Sequence, residues 1–220
     1  MNTVLLVGMV SLLTDVSSEM IYPLLSLYLT TTLGATPAIV GIIEGIAESI
    51  ASLLKTYSGY LSDKIQRRKP LAILGYGSAT FGKLFLYFST SWGWVLAGRV
   101  VDRFGKGIRT APRDALIAEA SDANRLGHSF GLHRALDTLG AVIGIAIAYF
   151  LFTTTKGQYT KIFLLSMIPC ILGVLLLFFV KEQKPKQAAA KVHPLAGWRA
   201  LSPRLKVFFL VAFFFTLGLT

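Results

Sequence analysis

A short basic turn between two long apolar runs constrains the fold of this chain most strongly. From Gly59 to Pro70 it reads Gly-Tyr-Leu-Ser-Asp-Lys-Ile-Gln-Arg-Arg-Lys-Pro. A glycine allows two membrane helices to approach closely, Asp63 can bond a neighbouring helix end, and Pro70 suits the first turn of a helix. The pattern predicts two membrane helices joined by a turn. Loops rich in Lys and Arg stay in the cytoplasm, and this turn holds four such cations, Lys64, Arg67, Arg68 and Lys69.

The composition also indicates a membrane protein. Of the 220 residues, 54% are hydrophobic and only 15% are charged, which is too apolar for a typical soluble domain. The net charge of +11 could indicate nucleic-acid binding, but most cations lie in short loops or within apolar runs, so we predict no nucleic-acid partner. The single cysteine, Cys170, cannot form an internal disulfide and lies in an apolar run, where we expect it to pack.

A membrane helix needs about 20 apolar residues, and the chain contains six runs of suitable length. We predict an all-α membrane protein with spans at about 4–31, 38–61, 71–89, 92–120, 128–154 and 162–180. Residues 181–206 are polar and basic and are predicted to form a cytoplasmic linker. Residues 207–220 are apolar but too few to span, and they are predicted to begin a truncated seventh helix. No cleavable signal precedes the first run, which is therefore expected to remain as a helix.

The charges of the loops alternate along the chain. Loops 64–69 and 181–206 are strongly basic, and 121–134 holds Arg125 and Arg134, whereas 30–37 and 89–91 carry no charge. By the positive-inside rule, this alternation places the N-terminus in the cytoplasm. We expect a multi-pass protein of the inner (cytoplasmic) membrane.

The basic turn resembles the signature loop between helices 2 and 3 of the major facilitator superfamily, G-x-x-x-D-[RK]-x-G-[RK]-[RK]. The matching residues are Gly59, Asp63, Lys64, Arg67 and Arg68, while Gln66 stands where the family usually has Gly. The alternative interpretation is a generic positive-inside loop. The resemblance implies the N-terminal six-helix half of a twelve-helix transporter fold with its central linker. It also implies a small-molecule substrate, a C-terminal six-helix half missing from this chain, and no cofactor, since a proton or cation gradient supplies the energy.

The resemblance further implies that the signature loop helps to lock the cytoplasmic end of the transporter. We expect charged groups near that end to neutralise one another in fixed pairs between helices. The predicted gate residues are Gly59, Asp63, Lys64, Arg67, Arg68, Arg113, Asp114, Glu119, Arg134 and Asp137.

Ionisable residues deeper in the spans point to a cavity. A charge at the bilayer centre costs about 2.5–3.5 kcal/mol even on insertion scales, so a chain that keeps many charges there is expected to use them around a water-accessible chamber. Fixed ion pairs are the alternative. Glu44 is expected nearer the outer surface as a solvated residue. The predicted cavity residues are Asp15, Glu19, Glu48, Lys83, Arg99, Asp102 and Arg103.

Two further patterns resemble motifs of the same family. Gly98-Arg99-Val100-Val101-Asp102 is similar to the Arg motif of the fourth helix, but Arg103 to Gly107 fits it as well, so the register stays open, with Arg99 favoured. Gly140 to Gly144 resembles the G-x-x-x-G-P motif of antiporters, with Ile145 in place of the proline. A small-residue packing face is the alternative. Pro23 and Pro112 are predicted to kink their helices.

These observations predict a secondary active transporter that works by alternating access, with proton-coupled efflux favoured. A buried carboxyl group binds a proton more readily than an exposed one, and we expect Asp15 or Glu19 to be the proton or cation site, facing Arg99 or Arg103. One alternative is uptake or exchange of an organic anion. Another is a non-transporting half that acts as a receptor or scaffold with a partner. We predict no enzyme, since no nucleophile–base pair stands out, and no metal site, since Cys and His do not cluster and the histidines are expected at the surface or gate.

Overall fold

The computed structural model describes residues 3–65, 67–182 and 201–217. Its internal contacts divide the chain into two units, Met1–Ala188 and Ala189–Thr220. Gln66 and most of the predicted linker, residues 183–200, lie outside the described residues. Each unit is described by itself below.

The first unit is built from helices. They are α1 (Thr3–Glu19), α2 (Tyr22–Leu27), a π-helical turn (Tyr28–Thr32), α3 (Pro37–Ile65), α4 (Arg68–Tyr87), α5 (Trp92–Ala120), a 3-10 turn (Ala123–Arg125), α6 (Leu126–Thr154) and α7 (Tyr159–Leu177). The segment from α1 to the π-helical turn corresponds to the first predicted span, and α3 to α7 correspond to the second to the sixth. Among the described residues, four segments are long and apolar enough to cross a membrane: Thr3–Thr32, Pro37–Ile65, Ala123–Thr154 and Tyr159–Leu177. The helices α4 and α5 fall outside that set.

The second unit contains one described helix, α8 (Pro203–Leu217). It begins before position 207, where the apolar run starts. Ser202 explains this earlier start, because its hydroxyl accepts a hydrogen bond from the Leu205 amide at 3.4 Å. Proline at the first helical position favours the same start, since its missing N–H would have no partner there.

The first predicted span is interrupted where the sequence suggests. The helix α1 ends at Glu19 and α2 begins at Tyr22, with Pro23 in the first turn of α2. Proline is accommodated at that position because no intrahelical bond is lost. By contrast, α5 runs without a break through the buried Pro112.

The helices of the first unit pack as two groups of three. The helix α5 packs against α3 and α4, and α1 packs against α6 and α7. Contacts between α4 and α7 and between α1 and α5 join the two groups. The cavity described below lies where these groups meet.

Glycines set the closest helix approaches. A Cβ at Gly140 would lie 2.5 Å from the carbonyl oxygen of Leu12, and a Cβ at Gly144 would lie 2.6 Å from that of Val16, so α6 rests directly on the backbone of α1. The α3–α5 approach is closest at Gly107, whose Cβ would lie 2.6 Å from the Leu54 Cβ. The sequence suggests Gly59 as a point of close approach, but the helices are not closest there. A Cβ at Gly59 would make only an ordinary contact of 3.6 Å.

Two apolar clusters occupy different levels of the bundle. One includes Val7, Tyr76, Ile117 and Leu177. The other includes Leu25, Tyr28, Ile43, Leu86, Val95 and Phe163. Along α1, α4 and α5, the polar residues that line the cavity fall between the residues of one cluster and those of the other. The cavity therefore forms a polar layer between two apolar layers.

A buried arginine ties together the helix ends at the signature loop. The Arg68 side chain is only 6% exposed. Its Nη1 donates hydrogen bonds to Ser62 Oγ at 2.7 Å and to Asp63 Oδ1 at 2.8 Å. Its Nε donates a hydrogen bond to Glu119 Oε1 at 3.2 Å. The Arg68 amide donates to the Glu182 carboxylate. One guanidinium group therefore joins the ends of α3, α4 and α5.

The α1–α6 contact predicts the effect of added volume. Gly140→Ala should lower the free energy of unfolding by about 1–3 kcal/mol, because the new methyl group has no room against the Leu12 backbone. Gly131→Ala on the same helix is the matched control, because a Cβ there meets nothing within 4 Å. It should be neutral or stabilise by up to about 1 kcal/mol. Unfolding by SDS titration measures both, and equal stabilities would contradict this packing.

The Arg68 cluster predicts a second difference between neighbouring variants. Arg68→Gln should destabilise by about 3 kcal/mol, because it leaves the Glu119 carboxylate, whose side chain is 12% exposed, without its cation. Arg67→Gln removes an exposed cation and should change stability by less than about 0.5 kcal/mol. The same SDS titration compares them. A similar loss for both variants would show that the cluster does not stabilise the fold.

Candidate functional site

A polar cavity of about 270 Å³ lies between α1, α2, α3, α4 and α5. Its lining carries five cationic and four acidic side chains. All seven residues that the sequence predicts for the cavity line it: Asp15, Glu19, Glu48, Lys83, Arg99, Asp102 and Arg103. The lining also includes seven residues outside that prediction, among them Tyr22, Lys106 and Arg109.

Arg99 is held by two carboxylates and one aromatic ring. Its Nε donates to Glu44 Oε1 at 2.9 Å, and its Nη2 bonds the second Glu44 oxygen, which makes the pair bidentate. Its Nη1 lies 3.8 Å from Asp102 Oδ2, and its guanidinium carbon lies 5.3 Å from the centre of the Tyr22 ring. Glu44 is therefore an ion-pair partner of a buried arginine, where we expected a solvated residue.

Arg103 repeats this arrangement one turn along α5. Its Nε lies 3.3 Å from Glu48 Oε2, and its Nη1 lies 3.9 Å from Asp102 Oδ2. Asp102 thus stands between two arginines. Both candidate registers of the Arg motif bring their arginine to the same network, so Arg99 and Arg103 share the cavity.

The sequence contains a signal for these pairs. Glu44 and Glu48 are seven and eleven residues after Pro37, the start of α3, and Arg99 and Arg103 are seven and eleven residues after Trp92, the start of α5. Both spans start at the same predicted side of the membrane, so equal spacing means equal depth at 1.5 Å per residue. Matching depth on adjacent helices would have predicted both pairs.

Asp15 and Glu19 line the cavity from α1 without an ion pair. In the described part of the chain, no Lys, Arg or His nitrogen lies within 4.0 Å of either carboxylate. We expected one of these acids to face Arg99 or Arg103, and all four residues line the same cavity. The two arginines form their close ion pairs with the α3 glutamates instead.

Three cations of the lining also lack a carboxylate partner within 4.0 Å among the described residues: Lys83, Lys106 and Arg109. Lys83 is 2% exposed, and its Nζ lies 3.9 Å from the Cys170 sulfur, which also accepts from Thr80 Oγ1 at 3.2 Å. Cys170 is buried, and besides packing it provides a weak polar contact to Lys83.

A buried hydrogen-bond chain leads away from Arg109. The Arg109 guanidinium carbon lies 4.6 Å from the centre of the Tyr76 ring. The Tyr76 hydroxyl and Ser11 Oγ are 3.0 Å apart, and Ser11 Oγ lies 3.0 Å from His133 Nε2. His133 Nδ1 is in turn 3.6 Å from Asp137 Oδ2. His133 is only 4% exposed, so it does not lie at the surface, but its neighbour Asp137 is one of the predicted gate residues. Nothing in the local sequence marks this contact between α1, α4 and α6.

The predicted gate residues fall into separate groups. Asp63, Arg68 and Glu119 join three helices, as described above. Arg113 pairs with its neighbour Asp114 at 2.9 Å, and Arg134 lies 4.0 Å from Asp137 on the same helix. The latter two pairs lie within single helices, which corrects the expectation of pairs between helices. Lys64 and Arg67 are exposed, and the glycines Gly140 and Gly144 pack on α1.

Sequence comparisons identify relatives over nearly the whole chain. The family model described as Major Facilitator Superfamily matches residues 7–220. The uncharacterized MFS-type transporter MJ1317 of Methanocaldococcus jannaschii is 39% identical over 217 residues, which cover 99% of this chain and 54% of that protein. The multidrug resistance protein MdtH of Blochmanniella floridana is 24% identical over 158 residues, or 72% of this chain and 37% of that protein. The chain therefore spans about half the length of its more similar relatives.

Solved structures share the fold. A bacterial homolog of the human lysosomal transporter Spinster, in an inward-facing and occupied conformation, has a TM-score of 0.70 at 16% identity over 84% of this chain and 45% of that one. The human organic anion transporter MFSD10 has a TM-score of 0.68 at 17% identity over 87% of this chain and 50% of that one. The chain belongs to the major facilitator superfamily, a family of multi-pass membrane transporters, and it folds as a six-helix half of that family's fold.

Proposed function

We propose that this chain is the N-terminal half of a proton-coupled secondary transporter that moves a small molecule across the inner membrane by alternating access. Its partner would be a C-terminal six-helix half, with substrate bound between the two. The observation that carries this proposal is the pair of carboxylates on α1, Asp15 and Glu19, which line a cavity and lack an ion pair in the described chain.

These two carboxylates differ from the neighbouring acids in their surroundings. Glu44, Glu48 and Asp102 each lie within 4.0 Å of an arginine nitrogen. Asp15 and Glu19 have no such close partner in the described chain, and they lie one helical turn apart near the middle of the Thr3–Thr32 segment. Protonation of either one changes the net charge of the cavity and can therefore bias the protein between two conformations.

The direction of transport that we favour is export. The multidrug resistance protein MdtH is among the relatives, at 24% identity in Blochmanniella floridana and 26% in Photorhabdus laumondii. The three cations without a carboxylate partner favour the second candidate, uptake or exchange of an organic anion, in which a proton and an anion move together. Both candidates use the same cavity and the same proton site.

The signature loop would then act at the cytoplasmic end. Its exposed cations, Lys64 and Arg67, fit a cytoplasmic turn, and this orientation also places the N-terminus in the cytoplasm. The contact of Arg68 with Asp63 and Glu119 joins α3, α4 and α5 at that end. We propose that the cluster stabilises the conformation in which the cytoplasmic side is closed.

Neutralising the free carboxylates should abolish proton coupling. In proteoliposomes containing this chain with its C-terminal half, Asp15→Asn or Glu19→Gln should reduce substrate-dependent proton flux to the level of empty liposomes, because a proton site is lost. The measurement is the fluorescence of an internal pH dye during a substrate screen, with pH gradients of both directions to separate export from uptake. Asp122→Asn, which removes an exposed acid outside the cavity, is the control and should keep the wild-type flux. Wild-type proton flux in both cavity variants would end this assignment.

Weakening the signature loop should affect conformational exchange more than binding. Asp63→Asn removes one partner of Arg68 but leaves Glu119, and the Asp63 side chain is 50% exposed, so the fold should persist. Transport should slow while substrate affinity stays unchanged. Flux assays and equilibrium binding on the same preparation separate the two. A changed affinity at an unchanged rate of transport would contradict the proposed gating role.

A further inference from the structure

Arg109 is a buried cation of the cavity without a carboxylate partner. The residue is 6% exposed, it lines the cavity, and its Nη1 has no hydrogen-bond partner among the described residues. No carboxylate oxygen of the described residues lies within 4.0 Å of it. A buried guanidinium group without a partner is costly, so its retention calls for a ligand that the protein itself does not supply.

The surroundings hold the Arg109 side chain in place. Its backbone lies against α4 at Gly75, where a Cβ would come within 2.6 Å of the Arg109 Cβ. One face of its guanidinium group lies over Tyr76, whose hydroxyl is fixed by Ser11. An arginine fixed by a ring on one side, with a buried nitrogen that has no partner in the described chain, is suited to a planar carboxylate or to a phosphate.

The positions of the charges, and not their sum, favour an anion at one wall of the cavity. Arg99 and Arg103 are paired with Glu44, Glu48 and Asp102. The remaining lining charges are three cations, Lys83, Lys106 and Arg109, and two acids, Asp15 and Glu19. These three cations lie on α4 and α5, whereas the two acids lie on α1, so the α4–α5 wall presents cations without a close carboxylate partner in the described chain.

We propose that Arg109, supported by Lys106 and Lys83, binds the anionic group of the transported molecule. Lys106 is three residues before Arg109 on α5, so both side chains lie on the same face of the helix. The inference rests on the proposed transporter function but not on the direction of transport.

Binding of small anions to the complete transporter in detergent tests this site. The probes are inorganic phosphate and succinate, with succinamide as the neutral match and tetraethylammonium as the cation, all at constant ionic strength in isothermal titration calorimetry. At least one anion should bind the wild type, and the neutral and cationic probes should not. Arg109→Gln should weaken that anion by at least about tenfold, because its charge-assisted hydrogen bonds are lost.

Matched variants separate a specific site from a general effect of charge. Arg125→Gln removes an exposed arginine outside the cavity and should bind the anion as the wild type does. Arg109→Lys keeps the charge but loses the planar donor pair, and it should weaken binding several-fold. If Arg109→Gln does not fold, Arg109→Lys and Lys106→Gln replace it in the same binding measurement.

Three results would overturn the proposal. The first is equal anion affinity in the wild type and the Arg109 variants. The second is no binding of either anion to the wild type. The third is binding of the cationic probe alone.

The Asp15→Asn variant distinguishes a failure of this site from a failure of the proton site. It should bind the anion at least as tightly as the wild type, since it removes a negative charge from the cavity, while it loses proton-coupled flux. Loss of anion binding in Asp15→Asn would contradict the anion site, because removing a negative charge should not weaken an anion held by Arg109. Normal proton flux in both Asp15→Asn and Glu19→Gln, with anion binding lost in Arg109→Gln, would overturn the proton assignment and leave the anion site standing.

Discussion

The structure of this half depends on how positive charge is neutralised away from water. Arg68, Arg99 and Arg109 are each no more than 6% exposed, and an isolated charge in such surroundings would cost several kcal/mol. Two of the three are paired with carboxylates on neighbouring helices, and these pairs fix which helix ends and which helix faces meet. The Arg99–Glu44 pair sets α5 against α3, and the Arg68–Glu119 pair sets α4 against the end of α5. The third arginine, Arg109, has no such partner in the described part of the chain and lines the cavity.

Close helix packing makes this placement of charge precise. Gly75 and Gly105 face one another across α4 and α5, and Gly140 brings α6 onto the α1 backbone. Side chains that start from backbones this close have little freedom to move away from their partners. Apolar clusters lie on both sides of the cavity. Between them, the Arg99 and Arg103 side chains are 6% and 12% exposed, whereas those of Glu44 and Glu48 are 30% and 53% exposed, so each pair joins a buried cation to a more accessible acid.

Much of the fold could be predicted from the sequence because long apolar runs and short loops report directly on helices in a membrane. The seven predicted cavity residues could be found for a related reason: a charge retained inside an apolar run needs a polar environment. The partners of those charges were harder to predict, since they depend on which helices are adjacent and on their depth. Glu44 is an example. Its position near the start of α3 predicts a solvated residue, but Arg99 lies at the same depth on α5 and forms an ion pair with it. The contact between Ser11 and His133 joins residues 122 positions apart, and no local pattern encodes it.

The two groups of helices divide the free charges between them. The free acids, Asp15 and Glu19, belong to α1 in the group of α1, α6 and α7, whereas the free cations belong to α4 and α5 in the other group. A small shift of one group against the other would change the distance between opposite charges in a cavity of low dielectric constant, where such a change has a large effect on energy. Protonation of an acid on α1, or binding of an anion at the α4–α5 wall, would change the attraction between these opposite charges and therefore the favoured distance between them. The charge division therefore gives a physical route by which binding at either wall could bias the packing of the whole half.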